Sequence, residues 1–316
     1  MKVLLTGAFG NIGRSTLDEL LRQGHTVRCF VSRRKSHERT ARRYEGKIEL
    51  IQGDIRQSAD LTKAVQDQEV IVHLAYMIPP PSEDNPLLAH SINIDGTRNL
   101  LRAARKLPNP PKFFFASSFD VFGYTQDEPP PRKVCDPVQA TDHYSTHKIA
   151  CEEMVKTSGL EWAIFRFADV PPLALRSPHP IMFRIPLDNR FEVIHTYDAG
   201  LAITNGISSN DIWGRVLLIG GGSGCQIRYR DYLGRMLELM GIGMLPEEAF
   251  GHEPYCTDWL DTEESQRLLH YQRYSFDDIM KHLKQSVGYQ RILTSLVGPL
   301  ARKWLLRMSP YYKKRR

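Results

Sequence analysis

Two groups of residues have types and spacings that can do chemistry. The first is Tyr144 with Lys148, preceded along the chain by the adjacent hydroxyls of Ser117 and Ser118. A free tyrosine, with a pKa of about 10, is a poor base at neutral pH, but a lysine four residues later lies on the same helix face and lowers that pKa. Since a hydride that joins or leaves a carbon requires a proton to move at its oxygen, the pattern predicts proton transfer at a carbonyl or carbinol.

The second group is the glycine run Thr6–Gly13, with glycines at 7, 10 and 13. Glycines at these points allow a tight turn, a close approach of the backbone to a pyrophosphate, and close packing of strand and helix. The helix that follows offers free N–H groups to phosphate. A plain glycine-rich turn, or a surface helix with a chance Tyr and Lys, would explain either motif alone. Their joint occurrence predicts a nicotinamide-dependent enzyme.

The elements that must position these residues form an alternating strand and helix pattern. Residues 1–5 predict a strand buried on both faces, and residues 14–24 predict a helix that ends at Gly24. The apolar run 113–116 ends in Ser117-Ser118, at the carboxyl end of a parallel strand, where open α/β sheets bind ligands. The pattern predicts an α/β fold, a Rossmann-type doubly wound parallel sheet with a smaller C-terminal substrate lobe. Further predicted elements are strands at 26–31, 162–167 and 216–220 and a helix at 231–240.

These motifs resemble those of extended short-chain dehydrogenase/reductases, the NAD-dependent epimerase/dehydratase superfamily. The spacing Gly-x-x-Gly-x-x-Gly is that of the family, and the similarity extends to about residue 285. Within the element Ser117–Gly123, Phe122 replaces the usual Tyr. The other matching segments are Asp54-Ile55, His73-Leu74-Ala75, Asn93–Thr97 (a helix start in the family) and Ile194–Asp198.

The resemblance implies roles for individual residues. Tyr144 would be the catalytic acid/base, Ser118 would bind the substrate oxygen, and Lys148 would tune Tyr144 and bind the nicotinamide ribose. Ser117 would be structural. Family members often pair through a four-helix contact that uses the Tyr-x-x-x-Lys helix, so a homodimer is expected. The implied cofactor contacts are Gly7, Phe9, Gly10, Asn11, Ile12, Gly13, Asp54, Ile55, Leu74, Ala75, Tyr76, Asn93 and Lys148.

The tip of the second predicted strand indicates which nicotinamide is bound. It reads Ser32-Arg33-Arg34-Lys35 and has no Asp or Glu to hold a ribose 2′-hydroxyl. Arginine with a hydroxyl donor suits a 2′-phosphate, so the sequence favours NADP(H), with NAD(H) as the alternative. A solvated basic loop is the other explanation of these residues.

The substrate side departs from the nucleotide-sugar enzymes of the family. Phe119 stands where dehydratases carry the first of two carboxylates, and Asp120 takes the place of the second, as a substrate contact or a turn cap. Residues 168–172 lack the asparagine that helps hold a diphosphate, and Phe191 replaces an arginine found in some epimerases. Predicted substrate contacts are Asp120, Met77 and Asp169. Arg166, Arg184, Arg190 and Arg228 are anion anchors or surface charges.

Three functions remain compatible with these residues. The favoured one is an NAD(P)-dependent reductase or dehydrogenase acting on a ketone or secondary alcohol of a small, fairly apolar molecule. The second is a nucleotide-sugar epimerase that keeps its NAD. The third is a non-catalytic NADP-binding sensor or scaffold, which would have no need of the Tyr and Lys.

Composition and charge indicate the compartment, the ligands and the domain organisation. Five scattered cysteines predict neither a zinc site nor disulfides, and they favour a reducing cytoplasmic compartment; no metal and no nucleic acid are expected. We expect a Rossmann domain at 1–165 with later returns near 190–220, a substrate lobe at 166–288 and a basic tail at 289–316. From residue 279 onward the chain has ten Lys or Arg and no acid, so, with +6 overall, the remainder carries −4.

The tail predicts an amphipathic helical stripe opposite the basic residues, with Pro299 starting a second helix. Such a stripe fits the inner face of an anionic membrane, to which the protein would bind peripherally, or packs on the enzyme body or a second subunit. It is too short and too charged to span a bilayer. The stripe comprises Ile292, Leu293, Leu296, Val297, Leu300, Ala301, Trp304, Leu305 and Met308.

Overall fold

A seven-stranded parallel sheet forms the centre of the protein. The computed structural model describes residues 1–175, 177–288 and 298–312. The strand order is β3-β2-β1-β4-β5-β6-β8, so the chain starts in the middle, runs to one edge and returns to the other. The strands of this sheet are β1 (Lys2–Thr6), β2 (Thr26–Val31), β3 (Ile48–Gln52), β4 (Val70–His73), β5 (Lys112–Ser118), β6 (Trp162–Phe167) and β8 (Arg215–Ile219).

Helices cover both faces of this sheet. The first, α1, begins at Asn11 and not at residue 14 as predicted, because Gly10 takes an extended conformation and serves as its N-cap. The helices are α1 (Asn11–Arg22), α2 (Lys35–Ala41), α3 (Ser58–Ala64), α4 (Pro81–Asp84), α5 (Pro86–His90), α6 (Gly96–Arg105), α7 (His143–Lys156), α8 (Thr196–Ser208), α9 (Tyr229–Leu239), α10 (Glu263–Leu269), α11 (Phe276–Val287) and α12 (Gly298–Met308).

The core lies on the two faces of the sheet, as alternation along β5 demonstrates. Phe114 belongs to the cluster that packs against α1 and α8, whereas Phe113 and Phe115 belong to the cluster beneath α3, α6 and α7. Successive side chains of a strand point to opposite faces, and burial on both faces requires an unbroken apolar run. The uninterrupted phenylalanines of β5 are therefore what a central parallel strand needs.

A third hydrophobic cluster lies around a two-stranded antiparallel sheet, β7 (Arg190–Glu192) and β9 (Gln226–Arg228). It joins α9, α11 and α12 with the segment between β6 and β7, through side chains such as Phe183, Leu237, Met280 and Leu305. We call this region the lobe. None of the described helices is long and apolar enough to cross a bilayer.

The predicted amphipathic stripe of the tail is wrong in α12. Leu305 is buried and Met308 packs against the lobe, but Leu300 and Trp304 face outward. The reason is that α12 packs on the body with one narrow face, so its apolar residues divide between two sides. Ile292, Leu293, Leu296 and Val297 lie outside the described residues.

Candidate active site

The glycine run forms a cradle at the carboxyl end of β1. Gly7 has φ +71°, and a Cβ there would lie 2.7 Å from the backbone nitrogen of Ala75. Gly13 likewise has no room for a side chain, because a Cβ would overlap the backbone of Gly7 and Ala8. The Gly10 N–H donates to the Gly7 carbonyl at 2.9 Å and closes the turn. Glycine is thus required at 7 and 13 by contact with neighbouring backbone.

The cradle fits a dinucleotide pyrophosphate. Because the N-cap of α1 is Gly10, no side chain caps the first N–H groups of the helix. Uncapped N–H groups at a helix N-terminus bind phosphate oxygens. Asn11, predicted as a cofactor contact, donates its side-chain amide to the Val170 carbonyl at 2.7 Å, so it ties the loop to the chain after β6.

The other predicted contacts surround this cradle. Leu74 and Ala75 donate their backbone N–H groups to the Thr6 hydroxyl, which joins the ends of β1 and β4. Phe9 stacks on Tyr44 with ring centroids 6.2 Å apart. Ile12 packs on the core cluster beside α1, and Ile55 is buried against Gly96. Asp54 holds Arg56 through both carboxylate oxygens.

The tip of β2 presents exposed, hydrogen-bonding groups. The Arg33 side chain is 70% exposed and only reaches Asp60 at 3.7 Å. The Ser32 hydroxyl lies 3.3 Å from Nδ1 of His37, and Arg34 is the N-cap of α2. Ser32, Arg33 and Arg34 are all exposed.

Tyr144, Ser118 and Lys148 come together as predicted. Ser118, at the end of β5, lies near the Tyr144 hydroxyl on α7 and acts to lower the pKa of that phenol. A capping box starts α7: the Asp142 carboxylate accepts the Ser145 N–H at 2.7 Å, and the Ser145 hydroxyl accepts the Asp142 N–H. The cap fixes the first turn of the helix and therefore the position of Tyr144.

Lys148 lies beneath the tyrosine. Its Nζ donates to the Ala116 carbonyl at 2.6 Å and lies 3.5 Å from the ring centroid of Tyr76. Burial lowers the pKa of Lys148 to about 7. Burial, with the nearby Asp120 carboxylate, raises the pKa of Tyr144, so the phenol carries its proton before a cofactor binds.

Asp120 borders the same site. Its backbone N–H donates to Ser118 Oγ at 3.3 Å, and the Ser118 hydroxyl acts to lower the pKa of the Asp120 carboxyl. Burial, with the carboxylates of Asp142 and Asp169, raises the pKa of Asp120 to about 8. Asp169, which follows β6, forms a β-bridge with Val193. The raised pKa favours the protonated form of the Asp120 carboxyl, which can donate a hydrogen bond.

Asn93 holds the segment after β4. Its side-chain amide accepts the Met77 N–H at 2.7 Å and donates to the Met77 carbonyl at 2.9 Å. Asn93 lies inside a π-helical turn, Ser91–Asp95, that joins α5 to α6, and not at a helix start as the resemblance implied. The wider turn lets the Asn93 carbonyl accept from both Thr97 and Cys151.

Glu83 links this segment to α7, the helix of Tyr144 and Lys148. One carboxylate oxygen accepts the Tyr144 N–H and the other accepts the His143 N–H, each at 3.1 Å. Both N–H groups belong to the first turn of α7, where a carboxylate is favoured by the helix dipole. Sequence reasoning missed Glu83, and no local motif marks it. Asp142 and Ser145 could have been found from the Asp-x-x-Ser capping pattern.

Two of the four arginines considered as anion anchors, Arg166 and Arg190, form buried ion pairs within the protein. Arg166 donates to both oxygens of Glu152, which also accepts the Ser117 hydroxyl at 2.6 Å. The structural role expected of Ser117 agrees with this contact. Arg190 binds Asp258 through Nε and Nη2. Neither guanidinium is free for a substrate anion, whereas Arg184 and Arg228 are exposed.

Phe191 and the cysteines are also accounted for. Phe191 packs against Tyr229 and Tyr232 with ring centroids 5.5 Å and 4.9 Å away, inside the lobe. All five cysteines are free thiols. Among the described residues, no group of three or more His, Cys, Asp or Glu side chains is arranged to hold a metal.

The N-terminal half of the chain matches a known protein family. The family model for the NAD dependent epimerase/dehydratase family matches residues 3–171, which run from β1 past β6. The chain belongs to this family. The resemblance drawn from the motifs is therefore confirmed.

Named relatives in the family include sugar-nucleotide enzymes. The chain is 26% identical over 177 residues to UDP-glucose 4-epimerase of Lactobacillus helveticus, which covers 54% of this chain and 52% of that protein. It is 35% identical over 130 residues to UDP-glucose 4-epimerase of Klebsiella pneumoniae, covering 39% of this chain and 93% of that sequence. The match thus spans about half the length of the first of these relatives.

Solved structures share the fold. UDP-glucuronic acid 4-epimerase of Bacillus cereus, solved with UDP-glucuronic acid and NAD, has a TM-score of 0.75 at 20% identity over 91% of this chain and 99% of that one. A short-chain dehydrogenase/reductase superfamily protein of Agrobacterium tumefaciens, solved with NAD, gives 0.72 at 18% identity over 94% and 99%. The predicted Rossmann-type α/β fold is confirmed.

Proposed function

We propose that this protein is an NAD(P)-dependent oxidoreductase of the extended short-chain type, transferring hydride at a ketone or secondary alcohol carbon of a small organic substrate. The observation that carries the proposal is the grouping of Ser118, Tyr144 and Lys148 next to Tyr76, which directly follows the Ala75 backbone that packs on Gly7. The dinucleotide supplies or accepts the hydride. Tyr144 donates or accepts the proton at the substrate oxygen, and Ser118 hydrogen-bonds the same oxygen.

The other residues around this oxygen have supporting roles. Lys148, held by the Ala116 carbonyl, places its ammonium 5.6 Å from the Tyr144 ring and lowers the pKa of the phenol when the oxyanion must form. The protonated Asp120 donates a second hydrogen bond on the substrate side. Within this proposal, residues 1–165 hold the dinucleotide and residues 166–288 supply most of the substrate contacts.

Exchange of Tyr144 for Phe tests the catalytic role. We expect kcat to fall at least 100-fold, because general acid catalysis contributes about 10²–10⁴ in rate, while the dinucleotide Kd stays within error. Substantial residual turnover would refute the assignment of Tyr144.

The second candidate function is a nucleotide-sugar epimerase, favoured by the UDP-glucose 4-epimerase relatives. An epimerase returns the hydride to the same carbon and must retain its NAD. Denaturing the freshly purified protein and weighing the released dinucleotide separates the two. Stoichiometric NAD supports the epimerase, whereas an empty protein that binds NADPH supports the reductase. Arg166 and Arg190 are engaged in internal ion pairs, so a diphosphate in an epimerase would have to use the exposed Arg184 or Arg228.

We propose further that NADP(H) is preferred to NAD(H), because the exposed Arg33 and Ser32 stand at the tip of β2 without an acidic neighbour in sequence. A hydrogen bond to a charged group contributes about 1.5–3 kcal/mol, so Arg33→Ala is expected to raise the NADPH Kd about 10- to 100-fold. Binding of NADH should not change. Arg39→Ala, an exposed arginine on α2, is the matched control. Equal losses for both cofactors would contradict the preference.

Two proposals concern partners. The first is a homodimer, as family resemblance suggests. The second is peripheral contact of the C-terminal tail with an anionic membrane surface.

A further inference from the structure

Helix α12 is fixed to the lobe by one side. Leu305 is buried in the lobe cluster. The Arg302 guanidinium donates to the carbonyls of residues 242–244, just after α9. Beyond the helix, the Ser309 hydroxyl donates to the Ala249 carbonyl at 2.5 Å. Packing and polar contacts at both ends therefore hold α12 in one orientation.

The opposite side of α12 is an exposed apolar and basic face. Leu300 is 68% exposed and Trp304 is 50% exposed. Lys303 and Arg307, which are next to them on the helix surface, are also exposed. These four residues have the spacing i, i+3, i+4, i+7 and so share one face of the helix. We call them the outer face. A tryptophan and a leucine left bare beside two cations are the composition of a helix lying at a lipid interface.

The charge around the outer face selects its partner. From residue 298 to the end, the sequence has seven Lys or Arg and no Asp or Glu. A second copy using the same face across a two-fold axis would bring Lys303 and Arg307 toward their own like charges. An anionic lipid surface attracts them and accepts the tryptophan and leucine at the same time.

We propose that the outer face docks this protein on an anionic membrane surface, with Trp304 and Leu300 entering the interface and Lys303 and Arg307 meeting lipid phosphates. Docking is peripheral. It does not depend on the catalytic proposal, because no residue of the outer face belongs to the active site.

Co-sedimentation of the full-length protein with vesicles tests this proposal. Phosphatidylcholine vesicles are compared with mixed phosphatidylcholine and phosphatidylglycerol vesicles at low and high salt. We expect binding to the mixed vesicles only, weakened by salt. Since each basic residue near an anionic surface contributes about a 5-fold gain in partition, Lys303→Gln with Arg307→Gln should reduce binding about 25-fold. Leu300→Ser with Trp304→Ser should reduce it at least as strongly.

Matched controls use exposed residues of the same types elsewhere. Leu87→Ser on α5 and Arg102→Gln on α6 should bind vesicles like the parent, and so should Tyr144→Phe, which separates docking from catalysis. Thermal unfolding of each variant should match the parent, since the changed side chains are exposed. Equal vesicle binding by parent and outer-face variants would overturn the proposal. Two other results would also overturn it. One is a concentration-dependent dimer that the outer-face variants abolish, and the other is binding to duplex DNA, without vesicle binding, that these variants abolish.

Discussion

The carboxylate of Asp258 is the most informative target for a stability measurement. It is 2% exposed and accepts from Arg190 Nε at 2.5 Å and from the Thr125 hydroxyl at 2.7 Å. Arg132 Nε lies 3.2 Å from the same carboxylate, and both arginines are buried. Asp258 thus joins the segment after β5 to the lobe.

Asp258→Asn removes the charge with little change in volume and takes the counter-ion from the buried Arg190, whereas Arg132 keeps Glu128 and Asp136. Breaking a buried ion pair from one side destabilises a protein by about 3–5 kcal/mol. At about 2 °C per kcal/mol for a chain of this size, the melting temperature should fall by about 6–10 °C. Urea unfolding followed by circular dichroism gives the free energy, and calorimetry gives the Tm.

Asp188→Asn is the matched control. The Asp188 side chain is 75% exposed and pairs with Arg230 at 2.6 Å on the surface. Exposed ion pairs contribute about 0–1 kcal/mol, so the control should change the free energy of unfolding by less than 1 kcal/mol. If Asp258→Asn loses no more than this control, the buried network does not stabilise the junction, and the reasoning is refuted.

Two further predictions concern the catalytic helix. Because the pKa of Lys148 is lowered to about 7, the cofactor-free protein loses the ammonium proton of Lys148 as pH rises through 7. We expect Lys148 to keep this proton when it binds the nicotinamide ribose. Dinucleotide binding at pH 8 should therefore take up about 0.9 proton, and the affinity should weaken as pH rises. Calorimetry in buffers of different ionisation enthalpy measures this, and uptake that persists in Lys148→Met would contradict the assignment. Glu83→Gln keeps one acceptor for the first turn of α7 and loses the charge, so kcat should fall about 10-fold or more with the dinucleotide Kd unchanged. Asp84→Asn, an exposed neighbour, should match the parent, and equal changes in kcat and Kd would indicate a merely structural role for Glu83.

Local pattern was enough to predict the sheet and the chemical groups at its edge. The strands at 26–31 and 162–167 were predicted at their observed bounds, because mostly apolar runs, each with one arginine (Arg28 and Arg166), are buried in a doubly wound sheet. The positions of Tyr144 and Lys148 follow from helical spacing alone. The predictions were weakest at ends of elements, as at α1, where the conformation of Gly10 decides the first residue.

Tertiary structure alone decided what each charged side chain does. Arg190 has the composition of an anion anchor, yet Asp258, 68 residues later, takes its guanidinium. Glu83 is one of two adjacent acids in a proline-rich segment, and only the fold brings it to the N–H of Tyr144. Leu300 and Leu305 belong to one predicted stripe, but one is exposed and the other buried. The sequence by itself determined the fold and the candidate catalytic groups, since these depend on local periodicity and spacing. The partners of charges and the exposed face of α12 depend on contacts between distant segments, which no local pattern records.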